Sequence, residues 1–236
     1  MARARAGDPG KLWIVAARQS AGRGRLGRAW VSPPGNLFAS LLLIDFAPPA
    51  RAAELGFVAG VALIEALGEV TGAGARLALK WPNDALFDGG KLAGVLIEAS
   101  RLPGGALACV VGVGVNCASH PENLPYPAND LSEFGARAAR EAVFAALAAR
   151  FADWFDAWNG GAGFSRVRQV WLASAARLGE DIEIVQGTKR VRGRFRDIDS
   201  NGRLVLEGEA GETVIDAGDV FPAGLANFPS AGPEGD

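Results

Sequence analysis

The chain is 236 residues long, 49% hydrophobic and 21% charged, with a formal net charge of −2. That composition supports a globular core, and the slightly acidic balance counts against a dedicated nucleic-acid binder, which is usually basic. Two cysteines, Cys109 and Cys117, make no disulfide framework and fit a reducing cytoplasm. The opening "MARARAGDPG" lacks the apolar stretch of a signal peptide, and no apolar run approaches membrane-spanning length.

Residues 12–17, "LWIVAA", predict a short buried strand. An arginine–glycine loop follows, "GRGRLGR" at 22–28, in which each glycine weakens regular structure. After the breaker "SPPG", residues 36–44 predict a second buried strand. Leu55, Val58, Ala59, Ala62, Leu63, Ala66 and Leu67 then recur at helical spacing, and "TGAGA" ends that helix. Residues 76–81 predict a third strand, stopped by Pro82. The turn signal Asp88-Gly89-Gly90 makes the next segment a hairpin whose second arm runs from Lys91 to Glu98. Residues 106–116 predict another buried strand, 119–130 a loop, and 135–158 and 164–175 helices. From Gly179 the texture changes to short alternating segments, "DIEIV", "KRVRGRFR", "GRLVLEG" and "ETVID", which predict a small barrel-like β-module. The expected class is α+β: a mixed sheet packed by helices over residues 1–176, a small β-barrel over 177–228, and a disordered tail over 229–236.

The loop is the first chemical signal. Glycines let backbone N–H groups approach an anion, and arginines add bidentate contacts to phosphate or carboxylate. Between Lys11 and Ile44 there are five basic residues and no acidic one, a local positive region inside an acidic chain. An anion site, a plain surface loop and a nucleic-acid contact all remain open on these residues alone. The second signal is "LKWPNDALFDGGKLAGVLIE", which holds Lys80 and Lys91, two of only four lysines. Asn83 and Asp84 follow a strand end, where α/β proteins bind ligands. Lys91 stands at the border of an apolar arm, either as a snorkelling surface residue or as a site cation, and Gly94 would let a ligand approach the backbone. "VVGVGVN" places glycines late in a strand and ends on the amide of Asn116. Arg190, Arg192, Arg194 and Arg196 alternate along one strand face, which reads as a solvated face or as a contact for an acidic partner. The only histidine, His120, lies in the Pro/Asn-rich loop, so a histidine-centred triad or metal cluster is not expected.

Taken in order, "GRGRLGRAW", "KWPNDALFDGGKLAGVLIE" and "GVGVN" resemble the catalytic domain of the biotin–protein ligases, the biotin–[acetyl-CoA carboxylase] ligase family. The module around "GRFRDIDSNGRLVLE" resembles the SH3-like C-terminal domain of the same enzymes. The resemblance runs from about Trp13 to Leu225 and implies a class II synthetase-like sheet followed by an SH3-like barrel. It implies an enzyme that makes biotinyl-5′-AMP from biotin and ATP, with Mg²⁺, and passes biotin to a lysine of a biotin carboxyl carrier domain of acetyl-CoA carboxylase or a related biotin-dependent carboxylase. A lipoyl or octanoyl transferase and a binding-only protein are the competing readings.

By that likeness Gln19, Gly22, Arg23, Gly24, Arg25, Lys91 and Gly94 would face biotin. Arg28, Trp30, Asn83, Lys80 and Asn116 would face the nucleotide. Lys91, Arg25 and Asp84 would be catalytic, Asp84 near the acceptor lysine. No protein-built metal cage is implied. The family's Ser-Thr-Asn biotin segment does not precede Leu12, so an N-terminally shortened form with weakened biotin binding is expected. No helix-turn-helix repressor domain is expected, nor specific DNA binding, nor a membrane partner; the likeness admits a homodimer and implies a cytoplasmic enzyme.

Overall fold

The computed structural model describes residues 1–209 and 211–223. A short helix, α1 (Ala2–Arg5), leads into strand β1 (Leu12–Ala16). After the arginine–glycine loop come β2 (Leu37–Ile44) and α2 (Leu55–Thr71), then β3 (Leu77–Lys80), β4 (Asp84–Phe87), β5 (Gly90–Arg101) and β6 (Leu107–Val115). These six strands form one antiparallel sheet in the order β1-β2-β6-β5-β4-β3.

Period two divides the sheet into two faces. Leu37, Ala39, Leu41 and Leu43 of β2 and Cys109, Val111, Val113 and Val115 of β6 join the main core with α2, α3 (Arg140–Trp158) and α4 (Phe164–Ala173). All seven residues expected to form the buried stripe of α2 are fully buried, and Phe57 and Val61 are buried as well, so the helix is apolar nearly all round. At the edge, Trp13 of β1 meets Phe144 and Phe151 of α3 edge-on at 5.6 and 5.7 Å. The opposite face carries Phe38, Ser40 and Leu42 of β2, Gly112 and Gly114 of β6, and Gly94, Leu96 and Glu98 of β5, in register. At one end α1 covers it, with Ala4 packed on Leu42 and Ala108. The rest is left open as a floor.

The second sheet is built from β7 (Asp181–Gln186), β8 (Lys189–Ile198), β9 (Leu204–Gly208), β10 (Gly211–Ile215) and β11 (Asp219–Pro222), in the order β10-β9-β8-β7-β11. Its apolar residues Ile182, Ile184, Phe195 and Leu206 belong to the same continuous core as α2 and α4. Trp81 ties the two sheets further, its indole N–H donating to the Gly202 carbonyl at 3.1 Å.

Three expectations need revision. Among the described residues the second sheet is an open antiparallel ladder: β10 and β11 are short strands at its opposite edges, where barrel closure would need them to pair. The helix expected from residue 135 starts at Arg140, because the preceding 3₁₀ turn (Ser132–Ala138) is broken at Gly135, whose φ of 56° leaves the right-handed region. Strand β11 was not anticipated, since four residues, one of them Pro222, carry too little alternation to stand out. The tail expected to be disordered, 229–236, lies outside the described residues.

Candidate active site

Residues 22–30 fold as a small irregular hairpin over the open floor. The Trp30 N–H donates to the Gly22 carbonyl at 2.9 Å and the Gly24 N–H to the Arg28 carbonyl at 2.7 Å. A single 3₁₀ turn (Arg25–Gly27) makes the tip, with Leu26 and Gly27 at φ of 56° and 75°. Gly22 is needed where the hairpin closes: a Cβ there would lie 2.4 Å from the Trp30 carbonyl oxygen.

Under this hairpin is a cleft of about 250 Å³. Its floor is built from Phe38, Ser40, Gly94, Leu96, Gly112 and Gly114. The missing side chains at Gly94 and Gly114 make room for the Trp30 indole. A Cβ on Gly114 would lie 2.7 Å from Trp30 Nε1, and one on Gly94 3.3 Å from Trp30 Cζ3. The indole N–H is buried without a hydrogen-bond partner, an arrangement that costs about 1–3 kcal/mol and leaves one donor available to a ligand acceptor.

Lys91 stands at the wall. Its Nζ lies 2.8 Å from Asp84 Oδ1 and 5.4 and 5.7 Å from the rings of Trp30 and Tyr126. One carboxylate and two aromatic faces thus hold the ammonium at the cleft. A register shift between Ala85 and Leu86 in the β4–β5 pairing lies between the two residues of the ion pair. The loop that carries Tyr126 is tied to the sheet just after it: the Lys91 N–H donates to the Pro127 carbonyl at 2.8 Å, the Asn129 side-chain amide to the Phe87 carbonyl at 2.6 Å, and the Asn116 side-chain amide to the Asn129 carbonyl at 3.1 Å. Asn36, buried and absent from the expected residues, binds Ala118 and Ser119 of the same loop.

The arginines of the hairpin meet three separate elements. Arg23 donates to both carboxylate oxygens of Glu98 at 3.0 and 3.2 Å. Arg25 donates to Asn83 Oδ1 at 3.3 Å and to the Gly218 carbonyl at 3.4 Å, and lies 3.9 Å from Asp219 Oδ1. Arg28 pairs with Asp219 Oδ2. Burial pushes the Arg25 guanidinium below its ordinary pKa, with Asp219 and Asp84 opposing; arginine stays charged regardless.

Of the expected residues, Gln19, Arg23, Gly24, Arg25, Arg28, Trp30, Asn83, Asp84, Lys91 and Gly94 line this cleft. Gly22, Lys80 and Asn116 do not. Gly22 closes the hairpin. Lys80 has its ammonium 5.7 Å from the Phe221 ring, and burial lowers its pKa against the pull of Asp84. The Asn116 side-chain N–H donates to the Asn129 carbonyl at 3.1 Å, and the residue lines a smaller adjoining cavity of about 50 Å³ with Trp30, Lys91 and Tyr126. Sequence reasoning missed Glu98, Tyr126 and Asp219. Glu98 was legible in principle, because period two from Gly94 puts it on the same face. His120 pairs with Asp130 at 2.7 Å on the loop. Both thiols are buried, which pushes each up to about 12 and leaves no thiolate at neutral pH. Among the described residues no group of three or more His, Cys, Asp or Glu could hold a metal, and no helix is long and apolar enough to cross a membrane.

A glycine floor ringed by Lys91, Arg23, Arg25 and Arg28 can bind an extended anionic ligand. Known proteins resemble this chain in both sequence and fold. Residues 6–116 match the model of the biotin/lipoate A/B protein ligase family, and residues 178–221 match that of the biotin protein ligase C-terminal domain. The chain is 44% identical over 224 residues to a biotin–[acetyl-CoA-carboxylase] ligase of Paracoccus denitrificans, covering 92% of this chain and 93% of the relative. It is 29% identical to the bifunctional ligase/repressor BirA of Bacillus subtilis, of which it covers 65%. Among solved structures, the biotin protein ligase of Aquifex aeolicus in complex with biotin and ATP superposes with a TM-score of 0.75 at 30% identity, over 89% of this chain and 87% of that one.

Proposed function

Because the chain belongs to the biotin protein ligase family and is a ligase, we propose that it activates biotin with ATP as biotinyl-5′-AMP and then transfers biotin to one lysine of a biotin carboxyl carrier domain. In this reading a biotin carboxylate oxygen attacks the α-phosphorus of ATP and pyrophosphate leaves. The carrier lysine's neutral ε-amine then attacks the acyl carbon, and AMP leaves. The observation that carries the proposal is the cleft itself: Lys91 at its wall, the arginine hairpin above, and a glycine floor between.

Carboxylate and triphosphate repel each other, and the ammonium of Lys91 with the guanidiniums of Arg25 and Arg28 offsets that repulsion as charge builds at phosphorus. Fixing the two substrates side by side supplies much of the remaining acceleration. Asp84, already beside Lys91 at 2.8 Å, is the carboxylate in reach to orient the acceptor amine or take its proton. The hairpin, with Gln19 at its base, Gly24 within it and Trp30 across the floor, would keep water from the mixed anhydride. Asn83 and Asn116 support the nucleotide end through the segments they hold in place, and Gly94 leaves room for biotin. Mg²⁺, carried in on the triphosphate, would supply further charge neutralisation.

Residues 1–176 are read as the catalytic unit and 177–228 as an SH3-like unit whose turn before β11 reaches the cleft. The carrier would belong to acetyl-CoA carboxylase or a related carboxylase, and the enzyme would work in the cytoplasm without DNA. Incubation with ATP, Mg²⁺, biotin and a carrier domain should add one biotinyl group to one carrier lysine by mass spectrometry. Equal competition by lipoic or octanoic acid would instead support a lipoyl-type transferase.

A further inference from the structure

Asp219 stands at the start of β11, in the second sheet, yet its carboxylate reaches the arginine hairpin of the first. One oxygen pairs with Arg28 and the other lies 3.9 Å from Arg25 Nη1, while the neighbouring Gly218 carbonyl accepts from Arg25 at 3.4 Å. The turn that carries Asp219 is fixed from below. A Cβ on Gly218 would lie 2.4 Å from Ile184 Cγ2, the Gln186 side-chain amide donates to the Ala217 carbonyl, and Asp219 is in register with Val185 of β7. The carboxylate is therefore anchored to the second sheet, and the hairpin comes to it.

Arg25 and Arg28 repel one another, and Arg28 contributes to lowering the Arg25 pKa. A single carboxylate between two guanidiniums has the charge and oxygen geometry that a phosphate group would bring to the same place. We propose that Asp219 is a built-in counter-anion for the hairpin: it holds Arg25 and Arg28 over the cleft in the free enzyme, and the phosphates of the nucleotide displace it from Arg28 on binding. Asp219 is thus a positioning residue, and the inference rests on the reading that this cleft takes ATP. Arg28 is the more exposed of the two arginines, 45% against 22%, and is the one that exchanges. Arg25, also held by Asn83, keeps its place.

Linkage fixes the sign. A contact that stabilises only the free state must weaken ligand binding by the same factor. The test uses the full chain as wild type, Asp219→Asn and Asp219→Glu, with hydrogen exchange read over residues 19–31 and ATP affinity measured with Mg²⁺ and no biotin. The Asn variant should exchange about tenfold faster in the free hairpin, the scale of one charge-assisted hydrogen bond. The Glu variant should restore protection, and peptides from β7 and β8 should be unchanged. With saturating ATP, wild type and Asn variant should agree within about twofold, and the Asn variant should bind ATP up to about tenfold tighter. An unchanged free hairpin overturns the proposal, as does weaker or equal ATP binding by the Asn variant while wild type binds normally. If wild type binds no ATP at all, the nucleotide reading of the cleft falls and this inference falls with it.

Discussion

Arg23, Arg25 and Arg28 in the hairpin, and Arg190, Arg192 and Arg194 in β8, are spaced almost alike along the chain. Their partners are not alike. Arg190 and Arg192 both reach Glu183 on the adjacent β7, at 2.8 Å each, and Arg194 donates to the Gly179 carbonyl at 2.6 Å. Those contacts stay within β8, the adjacent β7 and the turn that leads into β7. The hairpin arginines reach Glu98, Asn83 and Asp219, which lie 75, 58 and 191 residues away and belong to β5, the β3–β4 connection and β11. Arginine spacing alone therefore does not distinguish the two segments. What does is that the hairpin's counter-charges come from separate elements and converge above a concave floor.

That contrast predicts a graded series of effects. Lys91→Ala removes the ammonium held at the cleft wall and should reduce biotin-dependent ATP–pyrophosphate exchange by about 10²–10³-fold, with an unchanged circular dichroism spectrum. Exchange at the wild-type rate would take Lys91 out of the chemistry. Arg25→Gly breaks the joint between hairpin, Asn83 and the Gly218 carbonyl. At about 1.5–3 kcal/mol for hydrogen bonds to a charged group, biotinyl-5′-AMP should be held roughly 10–150-fold less tightly, and released adenylate should label lysines on bystander proteins. Labelling confined to the carrier would contradict the role given to the hairpin.

Gly114→Ala puts a methyl 2.7 Å from the Trp30 indole nitrogen. Overpacking of this kind costs about 1–3 kcal/mol, and the indole should leave the floor, detectable as a red shift in tryptophan emission together with a raised KM. Arg192→Ala is the smallest. Glu183 keeps Arg190, so stability should fall by no more than about 1 kcal/mol, and exchange activity should stay within about twofold of wild type. An activity loss as large as that of Arg25→Gly would erase the distinction between the two arginine segments.

Much of this was legible in the sequence. Strands β2, β5 and β6 and helix α2 announce themselves through apolar runs and helical spacing, because their burial is set by the chain's own periodicity. Lys91, Asp84 and the hairpin arginines sit in motifs that a local reading can recognise. Asp219 could not be found this way: its importance comes from a turn fixed against Ile184 and Gln186, and nothing near it in sequence refers to the hairpin it meets. Tyr126 is similar, a ring aimed at Lys91 only because Asn116 and Asn129 hold its loop. Gly22, Lys80 and Asn116 share the motifs but stand outside the lining of the cleft, Asn116 lining the adjoining cavity instead. The open second ladder reflects edge strands too short for local alternation to specify closure.

The central claim is that the cleft under the hairpin joins a carboxylic acid to the α-phosphate of ATP. The direct measurement is to incubate the full chain with Mg²⁺, ATP labelled at the α-phosphate and biotin, without a carrier, and to analyse what remains bound after gel filtration. The account predicts one biotinyl-5′-AMP per active site and loss of the signal in Lys91→Ala. Recovery of unchanged ATP with biotin present, or of an equal yield of adenylate when lipoic acid replaces biotin, would contradict it.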